Sequence, residues 1–325
     1  MRAAVYTKYG APEVVKVIET DTPEPEANEI LVRIHAATVS RVDSIFRSGE
    51  HFFARLATGI TRPRIRALGS ELSGVVEAVG KEVARFKVGD AVFGSTSDFG
   101  AHAEYLCLPE DAAIVKKPDV LSHEEAAAIP YAYLTALPFL RDNGKIQAGQ
   151  KVLINGASGS IGTAAIQLAK YYDTNVTAVC SGANAEFVKS LGADHVIDYT
   201  KDDFTQNSVK YDIIFDTVGK VSYNKCKRSL APDGRYLQPD ISFTILFQSL
   251  WTWKFGKKRA IFAATGLRSH EEKIADLNFL LELLESGAIK PIVDQTFPFD
   301  QIATAHAYVD KGHKKGNVLL RLEHM

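Results

Sequence analysis

Cysteine is scarce in this chain of 325 residues: Cys107, Cys180 and Cys226 are far apart and odd in number. That excludes a disulfide framework and a Cys-x-x-Cys metal knuckle, and it suits a reducing compartment. An excess of charge of one sign is lacking too. With 38 Lys and Arg against 39 Asp and Glu, the formal net charge is −1, which offers no electrostatic reason to expect nucleic acid or an anionic membrane as partner. No apolar run reaches bilayer length. The most tempting, Ile241 to Trp253 (ISFTILFQSLWTW), is short and interrupted by Ser, Thr and Gln. The start, MRAAVYTKYGAPEVVKV, alternates apolar and polar residues instead of showing a charged head, an apolar core and a cleavage site. It reads as a first strand, and a cytoplasmic location is expected. Internal repeats and low-complexity tracts are absent as well.

What is present is the composition of an ordinary globular protein, 46% hydrophobic and 24% charged, in a chain long enough for two domains. Two textures divide it. As far as about residue 120, short β-like segments (AAVYT, EILVRIHAATV, GVVEAV, DAVFGS) are broken by Gly, Pro and charged turns, the pattern of an irregular barrel or sandwich. From about 123 an Ala-rich helical segment opens behind Ser122, placed as an N-cap ahead of Glu124 and Glu125. Then apolar runs without strict alternation, KVLIN (151–155), NVTAVC (175–180), HVIDY (195–199) and YDIIFDTV (211–218), are separated by helical segments. Strands of that kind are covered on both faces, so the second texture predicts a parallel sheet between helices. The tail offers a helix, EEKIADLNFLLELLESG, ended by Gly287, and a last strand, NVLLRLE.

The stretch VLINGASGSIG carries glycines at 156, 159 and 162, directly after a strand and at the start of a helix. Glycine there permits a tight turn, close approach of backbone N–H groups to a pyrophosphate, and close packing of helix on sheet. The loop is therefore expected to hold a dinucleotide through Gly156, Ala157, Ser158, Gly159, Ser160, Ile161 and Gly162. The end of the second strand bears on which one, because NAD sites usually place an acid there for the ribose 2′-hydroxyl. Here Cys180-Ser181-Gly182-Ala183-Asn184 has no acid before Glu186. Ser181 and Asn184, beside Cys180, can donate to a 2′-phosphate, with Tyr199 and Lys201 as further contacts, so NADPH is favoured over NADH.

The segment LGSELSGVVEAVGKEVARFKVGDAVFG (68–94) resembles the medium-chain dehydrogenase/reductase superfamily, and YLTAL, NGASGSIG, VKSLGADHVIDY and TFPFDQIATAHAYVDKGHKKGNVLL fit in order. The resemblance implies an α/β protein in which a GroES-like β-barrel catalytic domain (1–122 and 269–325) joins a Rossmann doubly wound parallel-sheet nucleotide-binding domain (123–268), with cofactor and substrate in the cleft between. Zinc alcohol dehydrogenases of the superfamily carry a GHE-type motif and an upstream Cys ligand. This sequence has Gly69-Ser70-Glu71 and Ser40-Arg41-Val42-Asp43, and lacks the four-cysteine lobe. Serine is a poor substitute in a tetrahedral zinc site, and without the metal an alcohol oxidation loses its electrophile. No metal is expected. What remains is similar to quinone oxidoreductases of the zeta-crystallin type and to NADPH-dependent enone and alkenal reductases, which transfer hydride to a quinone or an α,β-unsaturated carbonyl. Alternatives are a zinc-independent alcohol or carbonyl dehydrogenase, and a weakly catalytic NADPH-binding structural or scaffold protein. A homodimer is compatible with the resemblance.

The same resemblance supplies candidates, each with a plainer reading. Ser40 stands where many quinone reductases have Asn, and either bonds the substrate carbonyl or completes a strand-end turn. Asp43 orients a turn. His51 could replace a tyrosine proton donor that some enoyl reductases have after the Ser-Gly pair, here Ser48-Gly49, or could simply be solvated. Tyr131 and Tyr133 could donate a proton or pack beside the nicotinamide, and Thr135 aligns with a nicotinamide contact. Asp216-Thr217-Val218-Gly219 and then Leu237 end sheet strands, where doubly wound folds bind ligands. Gly316 and Asn317 match a segment that closes over the cofactor, or make the turn into a strand. The residues of 241–253 line a pocket for a bulky apolar substrate or pack at a subunit interface.

Overall fold

The computed structural model describes residues 1–64 and 66–324. Its contacts divide the chain into two units: Met1–Tyr131 with Ser269–Phe279 and Pro291–Met325, and Ala132–Arg268 with Leu280–Lys290. The sequence expectation placed boundaries at 122/123 and 268/269; the division by contacts falls at 131/132 and 268/269 and counts Leu280–Lys290 in the second unit.

In the first unit, β1 (Arg2–Val5) and β2 (Lys16–Glu19) form a hairpin-like pair. The long β3 (Glu29–Val39) is followed by α1 (Arg41–Ser48) and α2 (Phe52–Thr58), then by β4 (Glu71–Val79), β5 (Ala91–Ser95), β6 (Tyr105–Pro109) and β7 (Ala113–Lys116). Helix α3 (His123–Ala127) starts at Ser122, whose hydroxyl accepts from Glu125 N while the Glu125 carboxylate accepts from Ser122 N, a complete capping box. Helix α4 (Ile129–Pro138) follows, so the Ala-rich segment forms two helices, not one.

The second unit continues with β8 (Lys151–Asn155), α5 (Ser160–Tyr171), β9 (Asn175–Cys180), α6 (Ala185–Ser190), β10 (His195–Asp198) and β11 (Tyr211–Asp216). After these come α7 (Tyr223–Cys226), β12 (Leu230–Gln238), α8 (Phe243–Phe255) and β13 (Arg259–Phe262). The six strands pair in parallel in the order β10-β9-β8-β11-β12-β13. The chain winds outward from β8 in one direction and then restarts from β11 in the other, so the C-terminal ends of β8 and β11 flank a topological switch point. The central strands β8, β9 and β11 are buried nearly end to end, which is why their sequences lack alternation, whereas β10 and β13 at the two edges are mostly half-buried, so HVIDY is not covered on both faces as its sequence suggested.

Helix α9 (His270–Glu285) ends before Gly287, whose φ of +73° suits glycine at a helix terminus. Strand β14 (Val293–Pro298), α10 (Ile302–Asp310) and β15 (Asn317–Arg321) return to the first unit. Its large sheet runs β14-β15-β3-β4-β5-β7, with β6 pairing the first half of β3 and β15 the second. Register shifts between β3 and β4 at Leu31/Val32 and Ile34/Ala36 coil this sheet around a core that includes Ile30, Ile34, Leu72, Val92 and Ile114. The fold is therefore α/β, with a GroES-like barrel and a Rossmann-type parallel sheet.

Candidate active site

The glycine loop lies where β8, β9 and β11 end. Gly156 N and Ala157 N both donate to Val179 O at 3.1 Å, and Thr217 Oγ1 donates to Asn155 O at 2.8 Å. The glycines have separate tasks. Gly156 takes φ +80°, and a Cβ there would stand 2.5 Å from Val218 Cγ2. A Cβ on Gly162 would overlap the Gly156 carbonyl, so this residue lets α5 sit down on the strand end. Gly159 has ordinary φ (−77°), caps α5, and a Cβ there would meet nothing of the protein closer than 3.4 Å. The space kept open at Gly159 is beside the first turn of α5, whose N–H groups and dipole favour an anion. A dinucleotide pyrophosphate fits this cradle.

Around it stand the other strand ends. Cys180 is buried and its thiol is pushed up to about 11 by burial, with Asp198 adding to the effect, so it is an inert core group. Asn184 Nδ2 donates to Ser158 Oγ at 3.1 Å, joining the glycine loop to the turn after β9. Tyr199 N donates to Cys180 O, leaving the Tyr199 ring exposed at the same edge. The sequence reading overlooked Asp198. Its carboxylate comes from the neighbouring strand to accept from Thr200 Oγ1 (2.8 Å), Thr200 N and Gly182 N, with Lys201 Nζ at 3.7 Å. These hydrogen bonds hold its pKa below the usual carboxylate range. Gly182 is glycine because a Cβ would stand 2.5 Å from Asp198 Oδ2. Only strand pairing brings Asp198 to that turn, which is why sequence spacing does not reveal it.

Asp216 is wholly buried and organises the switch point: it accepts from Asn155 Nδ2 (2.8 Å), Val218 N and Gly219 N (3.1 Å each), and lies 2.9 Å from the Tyr236 hydroxyl. Burial and this anion raise the Tyr236 pKa, so the tyrosine remains a donor. Asp216 is thus a positioning residue for Thr217, Val218 and Gly219. Leu237 is fully buried in β12, so only its backbone could face a ligand.

The candidate acid–base residues each have their own surroundings. Ser40 is the N-cap of α1: its hydroxyl donates to Asp43 Oδ2 at 2.7 Å and accepts from Asp43 N at 3.3 Å. Asp43 also accepts from Gly69 N at 2.9 Å and so fixes the Gly69-Ser70-Glu71 turn against α1. His51 is exposed at the N-terminus of α2 and makes no capping bond. Tyr133 faces the interior of the nucleotide unit, where its hydroxyl donates to Lys290 O and accepts from Gln167 Nε2, both at 2.9 Å. Burial pushes its pKa well up. A tyrosine so held is a structural group and not a free proton donor. Tyr131 and Thr135, four residues apart, share the half-buried face of α4. Asn317 is buried and its amide donates to Ala128 O and Ile292 O, while Gly316 takes φ +87° in the turn into β15.

Glu71 is the group whose chemistry sequence reading least anticipates. It is buried, its Oε2 has no hydrogen-bond partner, and burial reinforced by Asp43 raises its pKa well above the carboxylate norm, with Lys273 opposing. Burial and the neighbouring Asp43 therefore favour its protonated form. Among the described residues no group of three or more His, Cys, Asp and Glu gathers as metal ligands would.

The chain matches the alcohol dehydrogenase GroES-like domain over residues 26–119 and the zinc-binding dehydrogenase family over 191–320. It is 33% identical to the 2-methylene-furan-3-one reductase of Solanum lycopersicum, over 98% of this chain and 79% of that protein. This chain belongs to the medium-chain dehydrogenase/reductase family, in its quinone oxidoreductase-like branch. Solved structures of this family share the architecture over nearly all of the chain. The quinone oxidoreductase of Coxiella burnetii superposes with a TM-score of 0.88 at 30% identity, covering 99% of each chain. The Escherichia coli quinone oxidoreductase complexed with NADPH gives 0.86 at 25% identity, covering 99% of this chain and all of that one. As a member of this medium-chain dehydrogenase/reductase branch, the protein is a nucleotide-binding oxidoreductase.

Proposed function

We propose that this oxidoreductase uses NADPH to reduce a quinone or an α,β-unsaturated carbonyl, without a metal. The observation that carries the cofactor choice is the turn after β9: no acid of its own projects there, Ser181 and Asn184 are the polar groups present, and Asn184 is anchored to the glycine loop through Ser158. The one carboxylate nearby, Asp198, is already engaged by Thr200 and Gly182, with Lys201 beside it. The glycine loop would hold the pyrophosphate and Thr135 would contact the nicotinamide end. When bound, the cofactor supplies hydride at nicotinamide C4. A conjugated acceptor takes it at carbon and carries the charge to oxygen, so orientation does most of the work.

The donor set supports the absence of zinc chemistry. Ser40 stands where the zinc branch has Cys, and its hydroxyl is committed to Asp43; Ser70 stands where that branch has His. Neither residue offers a thiolate or imidazole, so the residues do not fit the metal that the zinc-binding family description implies. With Ser40 capping a helix and Tyr133 bonded internally, solvent supplies the proton that completes an enone reduction.

The test follows absorbance at 340 nm with chelator present while a naphthoquinone, a 2-alkenal and a cyclic enone are added in turn, with NADPH or NADH. Chelator-insensitive NADPH loss with one acceptor class is expected. Activity that appears only with added zinc, or NADPH binding without turnover of any acceptor, overturns the reading. Ser181→Asp is expected to lower the NADPH-to-NADH ratio of kcat/KM by on the order of tenfold or more, since a carboxylate repels a 2′-phosphate and can accept from a 2′-hydroxyl.

A further inference from the structure

Helix α8 is amphipathic the wrong way round. Ile245 and Thr252 are its buried residues, and the polar side chains beside them serve the sheet edge: Ala260 N donates to Thr252 Oγ1 at 3.0 Å and Phe262 N to Ser249 Oγ at 3.2 Å. Edge strand β13 thereby has these two outward N–H groups satisfied by α8, and the helix must turn its polar stripe inward to do it. The apolar stripe is left facing out. Phe247, Leu250, Trp251 and Trp253 are 66%, 69%, 57% and 72% exposed, and Phe255 is exposed too. Phe247, Trp251 and Phe255 form an aromatic ladder along this face, with ring centroids 6.1 and 4.9 Å apart.

Charge decides what covers it. From residue 241 to 270 the chain has no Asp or Glu, but it has Lys254, Lys257, Lys258, Arg259 and Arg268. Lys254 rises from the helix itself over the Phe255 ring at 5.4 Å. Lys258 Nζ donates to Lys227 O and Leu230 O, and Lys210 Nζ to Arg228 O, so a second acid-free stretch, 217–232, lies against the first. The neighbouring cations Lys210 and Lys227 add to burial in lowering the Lys258 pKa. The net charge of −1 conceals this local concentration.

A second copy of the chain is a poor occupant. A two-fold contact sets a patch against itself, and this patch would oppose bases to bases with no acid in either stretch. The outward N–H groups of Ala260 and Phe262 are also already taken. An anionic lipid surface fits both features. Indole and phenyl groups insert at the headgroup level, Lys254 extends to the phosphates, and the remaining cations add attraction. At 13 residues the helix spans about 20 Å along its axis, too short to cross a bilayer and suited to lying in its plane.

We infer that α8 and its basic surround form a peripheral docking surface for an anionic bilayer, through which this protein sits at a membrane interface. The inference does not rest on which acceptor is reduced. The chain carries its own probe, because its only two tryptophans, Trp251 and Trp253, are both on this helix. Full-length protein is titrated with vesicles of phosphatidylcholine alone, or of phosphatidylcholine with phosphatidylglycerol. Expected are a blue shift of tryptophan emission, protection from acrylamide and co-sedimentation with the anionic vesicles only, all reversed by salt. Lys254→Glu with Lys257→Glu is expected to lower that partitioning by about tenfold or more at unchanged secondary structure. Three outcomes overturn the proposal: no fluorescence change with either vesicle, equal binding to both, or tryptophans already shielded without lipid in a protein that sizes as a dimer. The wild-type fluorescence arm decides the matter even where a variant fails to fold.

Discussion

Tyr133 shows how far a single residue's neighbours can overrule its chemistry. A tyrosine two residues from Tyr131 reads as a proton donor, yet partners 34 and 157 positions away, Gln167 and Lys290, take both valences of its hydroxyl. Tyr133→Phe is expected to cost about 1–2 kcal/mol of stability, since it leaves buried polar groups of Gln167 and Lys290 short of a partner. Denaturant unfolding measures that loss, while kcat with a good acceptor should stay within about twofold. A large fall in kcat without a loss of stability would return Tyr133 to the chemistry. Ser40 caps its own helix through Asp43 three residues on, where the sequence reading had offered only a substrate contact or a strand-end turn; the short spacing of Ser and Asp is the signal that could have shown it.

Among the elements, the loop between β8 and α5 makes the sharpest prediction, because its glycines are not equivalent. Gly162→Ala forces a methyl onto the Gly156 carbonyl and is expected to destabilise the fold by ~2 kcal/mol or more. Gly159→Ala meets nothing of the protein within 3.4 Å and adopts an allowed φ, so stability should hold while KM for the cofactor rises on the order of tenfold. Thermal melting without cofactor, set beside initial rates, separates the two. Strand–loop–helix order and glycine spacing made this element readable from sequence. Helix α8 was less so: its apolar residues were visible, but a pocket and an interface were equally open until Thr252 and Ser249 were seen to bond β13.

At the scale of the whole molecule, pH stability is set by groups held neutral in the first unit. Glu71 has a raised pKa, so the folded state holds a proton that the unfolded chain releases above its ordinary value of 4.5. Stability from this group is complete below that value and is lost as pH rises toward the folded pKa. His123 works in the opposite sense. Burial, the stacked His35 and Lys117 lower its pKa from 6.5 to about 4, so the stability it contributes is present above 6.5 and lost as pH falls through about 4. Between 4.5 and 6.5 both groups are neutral in the folded chain and largely charged in the unfolded one, so the two limbs offset each other there and a broad maximum is expected in the mildly acidic range. Urea midpoints across pH should show Glu71→Gln gaining on wild type as pH rises and His123→Gln gaining as pH falls. A parallel profile for either variant would remove that group from the account.

The sequence by itself determined the architecture, because its signals are local or periodic: buried strands without alternation, glycines at a strand–helix joint, and caps within a turn of their helix. It also marked the absence of zinc-type donors at Ser40 and Ser70, since side-chain chemistry is written in residue identity. Tertiary structure alone decided which polar groups are already spent. Asp198 beside Gly182, Gln167 on Tyr133, and Asp216 under Val218 and Gly219 are meetings between distant segments, fixed by strand order and register. It also decided that the acid-free, aromatic stretch after Asp240 faces outward, since only packing against β13 determines which side of a helix is buried.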